Sequence, residues 1–291
     1  MKRFFSNLNP VSFFTFCALL FSFIYNLVTP PLLVPDEFNH FYRSWQISDG
    51  GLLPERKNNR LGGEIPFTVS DFALHYRLSS TSEHQPDATD TEALLAEETL
   101  PGERTFRDFP NTAYYSPVSY LPQAIIQYYA GRLIMVLLWV LAGRFVLRRT
   151  PAYHWLLVVL LLLPMNIYLF NSFSADTVTN LLSLLLFVIV LRCTFDSDHV
   201  SKREQVSIFI LCLLLSQAKL VYVPLVLLVL LIPQTKFSSK ALHLLFVFSA
   251  IIVPFAAAYV WSAVAMENYL SFYTYHPDYI EQATLGYAAD Y

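Results

Sequence analysis

Six ionisable residues carry the chemistry open to this chain: Asp36, Glu37, His40, Arg132, Asp176 and Lys219. Asp36 and Glu37 lie a few residues past the first apolar run, Val11 to Val28. A carboxylate at a membrane surface is partly desolvated, and desolvation raises its basicity toward that wanted of a general base. Both are therefore candidate catalytic residues, with Asp36 ahead of Glu37. The bland alternative is that Asp36, following Pro35, caps a helix whose dipole favours acids at its start. His40 stands four residues from Asp36 and three from Glu37, so the three share one helix face. That spacing leaves a divalent metal open, although a histidine among interfacial aromatics is more often packed or hydrogen-bonded than ligating. No other cofactor is called for.

Asp176 sits in Asn171-Ser172-Phe173-Ser174-Ala175-Asp176, just before an apolar run that begins at Thr177. Helix capping is its plain reading. Lys219 stands inside the apolar stretch Val206 to Pro233, where an ionisable group is costly and normally has a partner. Arg132 begins the run that follows it. A cation in such a place neutralises the phosphate of a lipid-linked substrate, lysine as a point charge and arginine as a bidentate fork. His40, Arg132, Asp176 and Lys219 are accordingly the candidate substrate-binding residues. For Lys219 the alternative is a side chain that snorkels from a helix end.

The elements that hold these residues are helices in a bilayer. With 291 residues, 55% apolar side chains, 14% charged and a mean hydropathy of +0.44, the composition lies outside the ordinary soluble range. The fold class expected is an all-α polytopic membrane protein with a large extracytoplasmic loop after the first transmembrane helix. Lys2 and Arg3 precede the first run as in a signal peptide, but the run ends in Val28-Thr29-Pro30-Pro31 without a small-x-small cleavage site. It reads as an uncleaved anchor. Cys17, Cys193 and Cys212 are too dispersed for a zinc site or a disulfide framework. At a net charge of −3, no nucleic-acid partner is expected.

Further apolar runs fall at about 133–147, 152–170, 177–193, 206–233 and 241–264. The N-terminus and the links carrying Arg148 and Arg149, Lys202 and Arg203, and Lys236 and Lys240 are basic, which makes them cytoplasmic. The loop from Asp36 to Asp108 holds 14 acidic and 7 basic residues and faces outward. One straight span over 206–233 would contradict that pattern. Gln217, Lys219 and Pro224 instead predict two short helices turning near residues 218–221. The chain then divides into an N-terminal anchor over 1–29, an extracytoplasmic loop over 30–117, a transmembrane bundle over 118–264 and an extracytoplasmic segment over 265–291. Within the loop, Asp36 to Ile47 suits an amphipathic helix on the membrane ended by Asp49-Gly50-Gly51, and Ser79 to Arg104 an acidic mobile segment.

The order of Pro35-Asp36-Glu37 with His40, Ser48-Asp49-Gly50-Gly51, Tyr115-Ser116-Pro117, Tyr120-Leu121-Pro122-Gln123, Ser174-Ala175-Asp176 with Asn180, and Ala218-Lys219 with Tyr222 resembles the DUF2142 group of bacterial predicted membrane proteins. That group is similar in layout to the GT-C glycosyltransferases, multi-span enzymes with a catalytic carboxylate in the first external loop. The resemblance implies a location in the bacterial cytoplasmic (inner) membrane, membrane lipids as surroundings, a polyprenyl-phosphate-linked sugar donor and a glycan or other hydroxyl acceptor. It makes Asp36, or Glu37 in its place, the general base. Lys219, with Arg132, would offset charge on the departing phosphate. It also implies truncation at the C-terminus, because relatives continue beyond the aromatic segment ending at Tyr291. The competing reading is a non-catalytic protein that binds or translocates lipid-linked glycans. A membrane metalloprotease is disfavoured, since the chain has no His-Glu-x-x-His motif.

Overall fold

The computed structural model describes residues 8–29, 32, 34, 36–71, 73, 103–126 and 129–270. Most of the acidic segment expected to be mobile, the prolines at 30, 31 and 35, and the aromatic tail past 270 lie outside the described residues. The protein is a helical membrane protein. Among the described residues three helices are long and apolar enough to cross a bilayer: α1 (Pro10–Val28), α8 (Ala175–Phe195) and α10 (Lys240–Met266). In order between α1 and α8 come α2 (Glu37–Ser48), α3 (Pro110–Ala113), α4 (Leu121–Ile125), α5 (Tyr129–Arg149), α6 (His154–Leu161) and α7 (Pro164–Phe170), with α9 (Lys202–Ala218) preceding α10. Asn9 caps α1, accepting from the Val11 amide at 2.9 Å, and Ser201 and Glu204 close a reciprocal capping box on α9.

Two apolar clusters build the bundle. Phe14, Trp139, Leu157, Phe170 and Val188 join α1, α5, α6, α7 and α8, while Val190, Cys212, Leu215, Val226 and Ala250 join α8 to α9 and α10. A side chain at Gly143 would run into the Phe14 ring, so glycine is what lets α1 and α5 approach. Outside these seams, Leu27, Leu133, Val159, Leu245 and Val260 stay well exposed, as surfaces that meet lipid must be.

The stretch 206–233 is not one helix. α9 ends where Lys219 turns to extended backbone (φ −156°, ψ 124°), and a 3-10 helix then runs from Leu220 to Leu231 through Pro224. That helix returns alongside α9. The Val200 amide donates to the Lys236 carbonyl at 3.0 Å, and Lys236 Nζ donates to the Ser197 carbonyl at 2.6 Å.

The insert after α1 holds a small antiparallel sheet, β1 (Glu55–Lys57), β2 (Arg60–Pro66) and β3 (Arg104–Asp108), in the order β1-β2-β3. Nothing in the apolar pattern foretold it, because the strands are short and rich in charge and glycine. α2 is also more deeply set than an interfacial helix. Glu37, Asn39, Arg43, Ser44 and Gln46 are as buried as Phe41 and Tyr42. The helix is an inner layer between sheet and bundle, where Arg43 Nε and the Trp45 indole N–H have no hydrogen-bond partner but the other Arg43 nitrogens and Gln46 are paired. Arg43 donates to the carbonyls of Leu52 and Tyr115 at 2.7 and 3.1 Å and also to Gln46, and Gln46 donates to the Leu53 carbonyl at 3.0 Å. Burial lowers the Arg43 pKa to about 10, which leaves it a cation at neutral pH. A side chain at Gly63 would collide with Gln46, so β2 lies close against α2 because it carries no Cβ there.

Candidate functional site

Glu37 opens α2 and is completely buried. Its carboxylate receives Arg132 as a fork, Nε to Oε1 at 2.9 Å and Nη2 to Oε2 at 2.6 Å. The Phe173 amide adds a third bond to Oε1 at 2.9 Å, and Arg132 Nη1 donates to the Thr29 carbonyl at 3.1 Å. Four separate stretches of chain meet at this pair: the end of α1, the start of α2, α5, and the turn before α8. Gly131 permits it, since any side chain there would strike the Phe173 ring. Glu37 and Arg132, expected respectively as a catalytic carboxylate and a phosphate ligand, therefore occupy each other.

Asp36 stands at the N-cap position of α2 but caps nothing. Its backbone is left-handed (φ 61°, ψ 0°) and its side chain makes no bond to the helix start. Such a conformation is uncommon outside glycine, and aspartate is among the residues that tolerate it. The effect is to send the neighbours opposite ways, Glu37 into the bundle and Asp36 to the surface, where it is exposed.

One turn on, His40 faces the same region. Its Nδ1 lies 2.7 Å from the Tyr120 hydroxyl, and its ring stacks near Tyr115, with centroids 6.4 Å apart. Burial lowers the His40 pKa to about 4, against the opposing pull of Asp176 and Asp36, with Lys219 lowering it further. The imidazole is neutral at physiological pH. Burial holds the Tyr120 phenol well above its ordinary pKa, so it keeps its proton.

Asp176 does not cap α8; Ser174 does, accepting from the Asp176 amide at 3.1 Å. The Asp176 carboxylate instead takes Lys219 Nζ at 2.6 Å, and the ammonium lies 5.4 Å from the Tyr115 ring centroid. The extended residue between α9 and the 3-10 helix thus delivers its lysine to the start of α8. Tyr115 links His40 to the Lys219–Asp176 pair, lying against both the imidazole and the ammonium, and His40 feels the charges of Asp176, Asp36 and Lys219. Sequence reasoning did not single out Tyr115 or Tyr120 as site residues; their place in the motifs Tyr115-Ser116-Pro117 and Tyr120-Leu121-Pro122-Gln123 was the available signal.

Beside Lys219 opens a mostly apolar cavity of about 350 Å³, walled by Leu220, Val221, Ala258, Trp261, Ala265 and Tyr115 among others. The Trp261 indole donates to the Tyr114 carbonyl at 3.1 Å and so ties α10 to the polar insert. No group of three or more metal-ligating side chains occurs among the described residues.

The family model for predicted membrane proteins of the DUF2142 type matches residues 19–287. No curated protein and no solved structure matches the chain.

Proposed function

The chain belongs to the DUF2142 family of predicted membrane proteins, and from that membership and the site's geometry we propose a glycosyltransferase-like enzyme that uses a polyprenyl-phosphate-linked sugar in cell-surface glycan assembly. The observation that carries the reading is the division of labour at the start of α2: Glu37 is spent on Arg132 while Asp36 is left exposed, its charge, like that of Lys219, acting on His40. Asp36 takes the proton of an acceptor hydroxyl as that oxygen bonds to the anomeric carbon. The bond from that carbon to the phosphate oxygen breaks, its electron pair leaves with the polyprenyl phosphate, and the configuration inverts.

Lys219 gives one ammonium hydrogen to Asp176 and keeps two for the departing phosphate, an electrostatic stabilisation that grows as the charge does. Tyr120 donates to His40 Nδ1, which leaves Nε2–H to hold a sugar or acceptor hydroxyl. The apolar cavity beside Lys219 receives the first isoprene units of the donor. In this reading the N-terminus is cytoplasmic and the sheet-bearing insert faces outward in the bacterial inner membrane, as the basic links suggest. Cysteines placed at Gln234 and Ser239 should then escape membrane-impermeant labelling from outside intact cells.

The decisive test is turnover. The purified protein is supplied with polyprenyl-phosphate hexoses together with a cell-envelope glycan extract as hydroxyl acceptor, and release of polyprenyl phosphate is followed. Asp36→Asn should lower the rate by at least about 100-fold while leaving the fold intact, the size expected for loss of a general base. Undiminished release by that variant would remove Asp36 from the role. Binding of the lipid without any release by the wild type would favour a carrier of lipid-linked glycans instead.

A further inference from the structure

A second cavity, of about 610 Å³, opens at the opposite end of the bundle from the Asp36 cluster, between the last turns of α5 and α8, the loop over 196–200 and the first turns of α9. Arg192, on its wall, stands 16 residues after Asp176 on α8, about 24 Å along the helix at 1.5 Å per residue. With 21 residues α8 covers about 30 Å, the thickness of the hydrocarbon layer, which puts its two ends at the two membrane boundaries. The cavity is therefore built where headgroups lie. Phe145 and Ile189, each about one turn inside the arginine that follows it, line the hydrocarbon side. Phe145 is 38% exposed, so that side runs on into the lipid-facing surface.

The frame of the cavity is fixed. Arg192 is held by Glu204 at 3.4 Å and by Asp196 at 3.9 Å, and Glu204 also accepts from the Ser201 amide and hydroxyl at 2.9 and 2.7 Å. The loop after α8 is pinned at both ends. The Ser197 amide donates to the Arg192 carbonyl and the Val200 amide to the Lys236 carbonyl, both at 3.0 Å, and the Ser197 carbonyl accepts from Lys236 Nζ at 2.6 Å. Between those anchors the loop presents Asp198 and His199 to the cavity. Their side chains, like those of Arg149 and Arg203, make no hydrogen bond or ion pair among the described residues; Arg149 lies over the Phe145 ring, 5.4 Å from its centroid.

Charge selects the ligand. Three arginines (Arg149, Arg192 and Arg203) share the lining with three acids (Asp196, Asp198 and Glu204), a balance that gives a simple anion little net attraction. Once Arg192, Asp196 and Glu204 have engaged one another, two cations and one carboxylate are left to act. That set fits a molecule that bears a phosphate and an ammonium on one short arm. We propose that the cavity binds the headgroup of an aminophospholipid of the phosphatidylethanolamine type, Arg149 and Arg203 donating to its phosphate, Asp198 accepting from its ammonium, and its chains leaving past Phe145 and Ile189. The site is separate from the one assigned to the sugar donor and does not rest on that assignment.

The test compares three lipids that share the phosphate and differ in what it carries. The full chain is reconstituted in nanodiscs holding equal parts of phosphatidylethanolamine, phosphatidylglycerol and phosphatidylcholine with identical acyl chains, then extracted into detergent, and the retained lipid is read by native mass spectrometry. Phosphatidylethanolamine, the one with ammonium hydrogens, should be retained about tenfold over each of the others, the discrimination expected of about one charge-assisted hydrogen bond. Asp198→Ala should abolish that preference, and Arg149→Gln with Arg203→Gln should lower retention of all three lipids. Lys202→Ala, outside the lining, should change neither. Equal retention of the three lipids by the wild type would overturn the proposal, as would a preference that Asp198→Ala leaves intact. Soluble glycerophosphoethanolamine has the same headgroup without chains; added in excess it should leave the bound lipid in place, and displacement would make the ligand a water-soluble phosphodiester and overturn the lipid assignment. The wild-type comparison stands even if a variant fails to fold.

Discussion

Two ion pairs flank α2, and they are built differently. Glu37–Arg132 is bidentate and sealed, with side chains 0% and 8% exposed, and it gathers a third donor from the Phe173 amide. Lys219–Asp176 is a single contact of 2.6 Å with side chains 24% and 35% exposed. Both join distant parts of the chain, yet only the second has donors to spare and room beside it. Removing one partner of a buried pair strands a charge, whereas a partly solvated pair contributes little to stability. The contrast separates a pair that positions from a pair that is free to act.

Breaking the first pair should have the largest effect. Glu37→Ala or Arg132→Ala should destabilise the protein by about 3–5 kcal/mol, the range for uncompensated buried charge, and thermal unfolding in detergent reads the loss. Arg132→Lys should not restore stability, because an ammonium cannot reproduce the two-pronged contact. A loss under about 1 kcal/mol would erase the distinction between the pairs.

Lys219→Ala sharpens the comparison from the other side. Its stability change should stay within about 1 kcal/mol, since the pair is partly solvated. Release of polyprenyl phosphate should nonetheless fall about 100-fold or more, the scale of losing one preorganised charge contact. A rate like the wild type's would leave Lys219 a partner of Asp176 and nothing more.

The pH dependence probes the region between the two pairs without breaking either. His40 has a folded pKa of about 4 against an ordinary 6.5, so folding disfavours its protonated form. The stability tied to its neutral state is fully present above pH 6.5 and is lost as pH falls from 6.5 through about 4. Thermal midpoints measured across that window should show a decline that His40→Gln removes. An unchanged decline in the variant would assign it to other groups.

The membrane character was legible because apolar runs of spanning length have few alternatives, and Val11 to Val28 and Thr177 to Cys193 lie within α1 and α8. The interruption near Lys219 was legible for a related reason: Gln217, Lys219 and Pro224 all oppose a continuous apolar helix. The sheet was not. Its strands carry Glu55-Arg56-Lys57 and Gly62-Gly63, a pattern indistinguishable from loop, and pairing with Arg104–Asp108 closes a gap of some forty residues that no local signal spans. Tyr115 and Tyr120 were visible only as members of the motifs Tyr115-Ser116-Pro117 and Tyr120-Leu121-Pro122-Gln123, with no role attached to either.

What the sequence determined by itself was which residues could ionise and which stretches belong in lipid, since both follow from side-chain chemistry and local composition. What the tertiary structure decided was the fate of two adjacent carboxylates. Asp36 and Glu37 are neighbours in the sequence, and both stood there as candidate bases. A left-handed backbone at Asp36 and an arginine 95 positions beyond Glu37 make one of them a buried anchor and leave the other exposed. Burial and long-range pairing are properties of the assembled bundle, and no spacing along the chain encodes them.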